Sequence, residues 1–591
     1  MPQVASRPPV VVAGSPAVSR RRFLSAALLL GAASLAAACQ KAEPAAAPTA
    51  PAAATAAPAA AKPAATTAPA PTTAPIAAST AAPAAQPTAA PAVANAKRGG
   101  TLVFAAESMG DSVEPGLFNG FGSVNVIDNV CDKLTRPGQN WTDPAQPALA
   151  QTWDISPDGK SYTFKLRQGV KFQDGTPVTA KAVVRSYTRM SDDADKSYVK
   201  GLYMNSEIGV PNWASITAPD DATVKLVLKT PDAAQLHRLF HPAGAIISPA
   251  AMDQFGPEIG THLVGAGPFK IDKFVNGQEA TLVAFEDYWD GRPPLDKVVI
   301  RSYPDEGAML AAIESGEVNF APYPPSSAIP RLRSSDRFTV TPGPPLIDLF
   351  LALNTQAAPL NNLDVRLAVN YAVNRKNLID SVLYGLAEMP ATLIGPTELG
   401  FDASGRDIST QDVAKAKQHI ASSGLPTPIE LTYSYENSRF WPQMAELVKG
   451  DLEAVGFKVT LDKLDSTSYW AKVLDGKAQL SMNQRSLWVP DPDNKVRLLY
   501  STTPTAKGET GVAKLPGSKQ FDDLIDRGGA ESDTAKRVDI YKQLQALILQ
   551  QMPYAMLAYY TKPVVMAKNV ANVPIASAST ERVFLAKVAL T

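Results

Sequence analysis

Leu149-Ala150-Gln151-Thr152-Trp153-Asp154-Ile155-Ser156-Pro157-Asp158-Gly159-Lys160-Ser161-Tyr162-Thr163-Phe164-Lys165-Leu166-Arg167 is the stretch on which the fold turns. Two strand-length segments, 152–155 and 161–166, flank Pro157-Asp158-Gly159-Lys160. An Asp-Gly pair between alternating segments predicts a β-hairpin, because Gly supplies the positive φ that the tight turn requires. Beyond Gly169-Val170-Lys171-Phe172 and Asp174-Gly175-Thr176-Pro177-Val178, Thr179 reads as the N-cap of a helix running through Met190. A second strand pair is expected at 215–218 and 223–228, joined by Pro219-Asp220-Asp221.

Outward from this hairpin, strands and helices alternate. Strand-length runs lie at 101–106, 265–271 and 279–285, and a helix at 305–315 carries Met309, Leu310 and Ile313 on one face. The run 349–354 reads as a buried strand, followed by an amphipathic helix whose apolar residues include Val365, Val369 and Val373. Helices at 410–422, 441–455 and 533–551 and strands at 429–435 and 457–461 complete the pattern. Such alternation points to α/β lobes.

The N-terminus reads as an address. Ser19-Arg20-Arg21-Arg22-Phe23-Leu24 opens an apolar run ending at Cys39, and a twin arginine ahead of such a run is an export signal. The run is shorter than the ~20 residues that span a bilayer. Leu35-Ala36-Ala37-Ala38-Cys39 resembles a bacterial lipobox, with Leu35 one place early, so Cys39 is the expected lipidation site; the alternative is ordinary cleavage after Ala38. Residues 1–39 are thus a twin-arginine, lipoprotein-type signal. Residues 40–96 are almost entirely Ala, Pro and Thr, cannot bury enough surface to fold, and read as a disordered stalk.

The remaining residues, from 97 to 591, exceed one ~150-residue domain, so two or three lobes are expected. The formal net charge of zero, with no basic stripe, argues against nucleic acid and against a polybasic membrane surface. Of the two cysteines, a lipidated Cys39 leaves Cys131 alone, without an intrachain disulfide, as a small buried hydrophobe. No G-x-S-x-G elbow, H-E-x-x-H helix, P-loop or G-x-G-x-x-G fingerprint occurs in this region. His237 and His241 have the i, i+4 spacing of a metal pair but no adjacent acidic ligand, and Asp491-Pro492-Asp493-Asn494 lacks the glycine and distal glutamate of a calcium loop. No metal, cofactor or catalytic group is therefore assigned.

Several segments together resemble the extracytoplasmic solute-binding proteins of ABC importers, family 5, the peptide- and nickel-binding type. The resemblance is carried by Gly99-Gly100-Thr101-Leu102, Cys131-Asp132-Lys133-Leu134, the Leu149–Arg167 hairpin and its continuation to Ala180. Gly265-Ala266-Gly267-Pro268-Phe269, Tyr288-Trp289, Leu353-Asn354-Thr355, Asp364 to Arg375 and Pro490-Asp491-Pro492-Asp493-Asn494 extend it. It implies a two-lobed periplasmic-binding-protein-like clam of type II, with an extra N-terminal subdomain. Lobe I would span 97–343 with the subdomain inserted at about 141–260, lobe II 344–555, and 556–591 would return to lobe I. Such a protein closes on a small solute and docks on a membrane permease with its ATPase, as a monomer held to the outer face of the cytoplasmic membrane by its N-terminal lipid; closure is a population shift toward the state in which ligand touches both lobes. Other readings are a secreted hydrolase on a similar two-lobed body and a sensor or chaperone of the same fold.

The same resemblance nominates cleft residues. Asp132 matches an acidic family position, Trp488 a tryptophan ending a cleft strand, and Tyr559 an aromatic on the returning strand. Arg485 would pair with an anionic ligand group, Trp441 and Tyr433 would supply aromatic walls, and each has an ordinary packing or surface role as its alternative. Peptide-binding members usually carry Gly-Trp and then an aspartate that clamps the peptide amine. Here Ser486-Leu487-Trp488-Val489-Pro490-Asp491 is two residues shorter, so Asp491 aligns with the downstream acidic residue and the amine clamp is not carried over. This weakens a peptide ligand without excluding it, and the four histidines give no support to nickel.

Overall fold

The computed structural model describes residues 98–117, 120–502, 511–512 and 515–591. The export signal, Cys39 and the stalk lie outside the described residues. No described helix is long and apolar enough to cross a membrane.

Two large sheets organise the body. The first has seven strands, in the order Phe338–Pro342, Pro563–Ala567, Phe320–Ala321, Thr101–Ala106, Lys297–Ser302, Glu279–Ala284 and Phe269–Val275. The second has six, in the order Ala387–Glu388, Tyr554–Tyr560, Ile347–Leu353, Leu480–Ser486, Ile429–Glu436 and Phe457–Leu464. Thr101–Ala106 runs parallel to Lys297–Ser302, and Ile429–Glu436 parallel to Phe457–Leu464. Helices cover the sheets, so their strands are buried nearly continuously, as in Ile347–Leu353 and Tyr554–Tyr560, where every residue is buried.

The chain passes between the sheets twice, and the two passages run side by side. Pro342 pairs with Pro563 at the edge of the first sheet, and Ile347 pairs with Tyr560 at the start of the second. Only Gly343-Pro344-Pro345-Leu346 and Thr561-Lys562 lie between. The second passage thus falls after Tyr560 and not at 555/556, because Tyr554–Tyr560 pairs along its whole length with Ile347–Leu353. Lys562 is fully buried in this joint, its ammonium against Glu581 and 3.7 Å from the centroid of the Tyr323 ring. Burial, reinforced by Arg439, pushes its amine well below the ordinary lysine range.

The Leu149–Arg167 hairpin belongs to a separate four-stranded antiparallel sheet, ordered Ala150–Ile155, Ser161–Leu166, Thr223–Leu228 and Trp213–Asp220. Gly159 has φ 68° at the turn, as the Asp-Gly reading requires. The Thr179 hydroxyl accepts from the Ala182 amide and caps the helix Ala180–Thr188, which packs on this sheet through Ala182, Val183 and Tyr187. Asp305 and Asp533 likewise cap Glu306–Ser315 and Thr534–Gln551. The strand expected at 265–271 starts later, at Phe269, because Gly265 and Gly267 pass too close to the backbone of Val130 and Cys131 for any side chain. Cys131 is fully buried at the end of the helix Phe121–Val130, where burial pushes its thiol up to about 12.

The Pro490–Asn494 landmark proves to be a joint. Asp491 caps the helix Pro492–Tyr500 through the Asp493 amide and takes two bonds, at 2.8 and 2.9 Å, from the Arg537 guanidinium. Asp493 accepts from Arg238 beside the four-stranded sheet at 2.6 Å. Nearby, the Trp141 indole donates to the Leu487 carbonyl, in an apolar cluster with Phe240 and Leu346.

Candidate functional site

Between the two large sheets lies a cavity of about 520 Å³. It opens where parallel strands end, the place where α/β sheets bind ligands. Glu107 and Ser108 follow Thr101–Ala106, and Tyr303 follows Lys297–Ser302. Opposite, Asn437, Ser438 and Arg439 follow Ile429–Glu436, and Ser466 and Trp470 follow Phe457–Leu464. The helices Phe121–Val130, Trp441–Glu453 and Ser466–Leu474 begin at its wall, so their positive dipole ends face the space.

Arg439 is the central charge. Its guanidinium reaches across the cavity to the Glu107 carboxylate, donates to the Tyr323 hydroxyl at 3.2 Å, and stacks 4.6 Å from the Tyr323 ring centroid. Its backbone adopts φ 51°, a left-handed conformation that costs a non-glycine residue energy and is held here by these contacts. Burial works against the arginine charge, but Glu107, Tyr323, Glu436 and Tyr560 together outweigh it and hold the guanidinium above its ordinary value. At Glu107 burial wins over Arg439 and pushes the carboxyl up. Glu306 and Glu436 add carboxylates from either side; burial pushes Glu306 up as well, and the Ser438 hydroxyl donates to Glu436 at 3.1 Å.

The walls are aromatic: Phe121, Tyr303 and Tyr323 on one side, Phe440, Trp441 and Trp470 on the other. Asn483, 2% exposed, has one end of its amide held by the Tyr469 hydroxyl at 3.1 Å and the other without a partner among the described residues. A buried polar atom in this state costs energy until a ligand or water meets it.

Of the residues nominated from sequence, Trp441 lines this cavity. Arg485 stands behind the wall, 5.7 Å from the Trp470 ring centroid, and Trp488 packs edge-on against Phe121 at 6.2 Å. Tyr433 is fully buried in the core of the second sheet and supplies no wall of the cavity, because its strand packs on both faces there. Three further nominations need correction. Asp491 is consumed by the Arg537 pair and its helix cap, 3% exposed. Tyr559 points to the other face of its strand, where its hydroxyl takes the Ala391 and Thr392 amides, both at 3.0 Å. Its neighbour Tyr560 takes the cavity side, 2.9 Å from the Ser326 hydroxyl. Asp132 lines a separate cavity of about 230 Å³ with Trp289, Trp141 and Phe240, because it lies just past the C-terminal end of the Phe121–Val130 helix, whose first residue is the one at the interlobe cavity. Burial pushes its carboxyl up to about 6 against the opposing bond from the Trp289 indole at 2.5 Å.

Arg439, Glu107, Tyr323, Trp470 and Asn483 escaped the sequence reading. Position alone could have flagged Glu107 and Arg439, since each stands just beyond the end of a parallel strand. The histidines are structural: the His241 ring accepts from the Ala243 amide, and the His237 ring contacts the Asp143 carbonyl. Among the described residues no group of three or more His, Cys, Asp or Glu side chains could hold a metal ion.

Comparison with known proteins agrees with this architecture. Residues 145–507 match the family model for bacterial extracellular solute-binding proteins, family 5. The glutathione-binding protein GsiB of Escherichia coli O1:K1 is 31% identical over 425 residues, 69% of this chain and 79% of that protein. Among solved structures, the periplasmic binding protein DppA from Helicobacter pylori in complex with the peptide STSA superposes with a TM-score of 0.74 at 28% identity, over 84% of this chain and 98% of that one. AgaA of A. tumefaciens R10 in complex with agropinic acid superposes at 0.72 with 26% identity, over 83% and 99%. With two sheets joined by two short passages around a shared cavity, and relatives that are binding proteins, the chain is a two-lobed solute-binding protein and belongs to the bacterial extracellular solute-binding proteins of family 5.

Proposed function

We propose that this protein captures a short peptide or a peptide-like small solute in the Arg439 cavity and delivers it to an ABC permease and its ATPase. The observation that carries this reading is the cavity itself. Its volume of about 520 Å³ falls within the ~300–1,000 Å³ range of small-molecule sites. Its walls come from both sheets, so a bound solute bridges the lobes and stabilises the closed form. The Asn483 amide suits a partner with amide groups, and the relatives include a glutathione-binding protein and a peptide complex. Further parts of the proposal are a lipid anchor at Cys39, the stalk as a tether, and action as a monomer outside the cytoplasmic membrane; the lipobox-like Leu35–Cys39 segment and the Ala/Pro/Thr composition support them.

The test is native mass spectrometry of the full-length protein exposed to extract from its host, with release and identification of what it retains. A retained peptide or amino-acid conjugate is the expected result. Retention of no solute from a complex extract, with none found by thermal-shift screening, would overturn the receptor reading.

A further inference from the structure

Arg439 and Glu107 belong to different lobes, and across the cavity they hold one another. A carboxylate is already where a ligand would be read. The guanidinium is oriented independently of it, by the Tyr323 ring and hydroxyl, so the fork would keep its direction if Glu107 withdrew. Burial makes ionised Glu107 costly at this place, so it is a weak occupant. The beginnings of three helices at the same cavity favour negative charge there. An arginine fork matches a carboxylate with two parallel hydrogen bonds.

We infer that Glu107 is a built-in stand-in for a ligand carboxylate, and that the solute this cavity accepts carries a free carboxylate which displaces Glu107 from Arg439. The inference rests on the receptor reading above and narrows it to carboxylate-bearing solutes. Glu306 and Glu436 remain to receive an amino group, so the full pattern fits a zwitterion of the amino-acid or peptide type. In the empty protein the pair joins the lobes; in the loaded protein the ligand takes over that connection.

The experiment offers the full-length protein an equimolar pool of di- and tripeptides together with glutathione, the same pool as C-terminal amides, and host extract, and reads bound species by native mass spectrometry. Free acids are expected to be retained and amides not. Glu107→Gln removes the competitor and is expected to raise affinity for the acids about fivefold. Arg439→Gln is expected to lower it about a hundredfold, and Arg439→Lys, which keeps the charge without the fork, to fall between. Thermal unfolding confirms that each variant is folded. The opposite signs are decisive: a pair that only latches the lobes would move affinity in the same direction from either end. Equal retention of amides and acids, or equal effects of Glu107→Gln and Arg439→Gln, overturns the inference. Retention from extract of a solute lacking a carboxylate overturns it while leaving the receptor reading intact. Retention of nothing from any source overturns both.

Discussion

Arg439 meets Glu107 across 332 positions of sequence, and the ion pair they form is a direct side-chain link between the lobes inside the cavity. Their side chains are 19% and 21% exposed, so solvent screens the pair only in part. A half-buried pair of this kind stabilises the closed arrangement by about 1–2 kcal/mol. That is comparable with the few kcal/mol that separate two conformers of a hinged protein. Glu107→Gln in the ligand-free protein is therefore expected to populate a more open form, seen as a larger radius of gyration in small-angle scattering. An unchanged scattering curve would show that the passages alone, and not this pair, hold the lobes.

Asp491 gives the contrasting case, a carboxylate that matters for folding and not for the ligand. Arg537 and the helix cap use both of its oxygens within a buried setting. Asp491→Ala is expected to cost about 3–5 kcal/mol, since it strands a buried guanidinium. Affinity for whatever solute the protein retains should stay the same. Burial would raise the Asp491 carboxyl, but Arg537 outweighs burial and holds it below its ordinary value of 3.8. With the folded-state value depressed, its contribution is present above pH 3.8 and is lost as pH falls through the folded value. Acid unfolding followed by circular dichroism should thus be steeper below pH 4 in the parent than in the variant. A loss of affinity at unchanged stability would return Asp491 to the site.

Asp132 has the opposite sign. Its carboxyl is raised from 3.8 to about 6, so the folded state binds its proton more tightly than the unfolded state. The resulting stabilisation is full below pH 3.8 and fades as pH rises through about 6. Asp132→Asn keeps an acceptor for the Trp289 indole and removes the titration. Measured by thermal unfolding, the variant should gain on the parent as pH rises from 4 to 8, with most of the change between 4 and 6. A parallel pair of curves would mean that Asp132 is solvated and titrates normally.

These assignments mark how far the sequence could be read. Local signals carried well: Asp158-Gly159 made its turn and Thr179 capped its helix, because caps and tight turns depend on side chains within three residues. Tyr559 failed for a physical reason. Every residue of Tyr554–Tyr560 is buried, so no polar alternation announces which face looks to the cavity. A one-residue error in a strand changes the face, and Tyr560 took the cavity side. Arg439 and Glu107 are polar residues in loops, and only the packing of two distant strands brings them together. The Pro490–Asn494 landmark was visible as a motif, but nothing local distinguishes a ligand-binding aspartate from one that pairs with Arg537 on a helix 46 positions away.

Gly343 supplies the last test, at the passage itself. It is the first residue after the Phe338–Pro342 strand, and a Cβ there would run into the Ser579 hydroxyl, which donates to the Ile575 carbonyl at 2.9 Å. Ser579 is fully buried, and its own Cβ stands 2.5 Å from the same point, so turning the hydroxyl away does not relieve the collision. Gly343→Ala should therefore force the C-terminal segment away from the passage, at about 1–3 kcal/mol, the usual cost of an added carbon in a packed interior. Because the contact is between two specific atoms, Ser579→Gly should restore most of the loss when combined with Gly343→Ala. Neither single change alters a cavity-lining residue. Thermal unfolding of the four forms gives the coupling directly: a double variant no more stable than Gly343→Ala alone would place the cost in the backbone of the passage and not in the collision with Ser579.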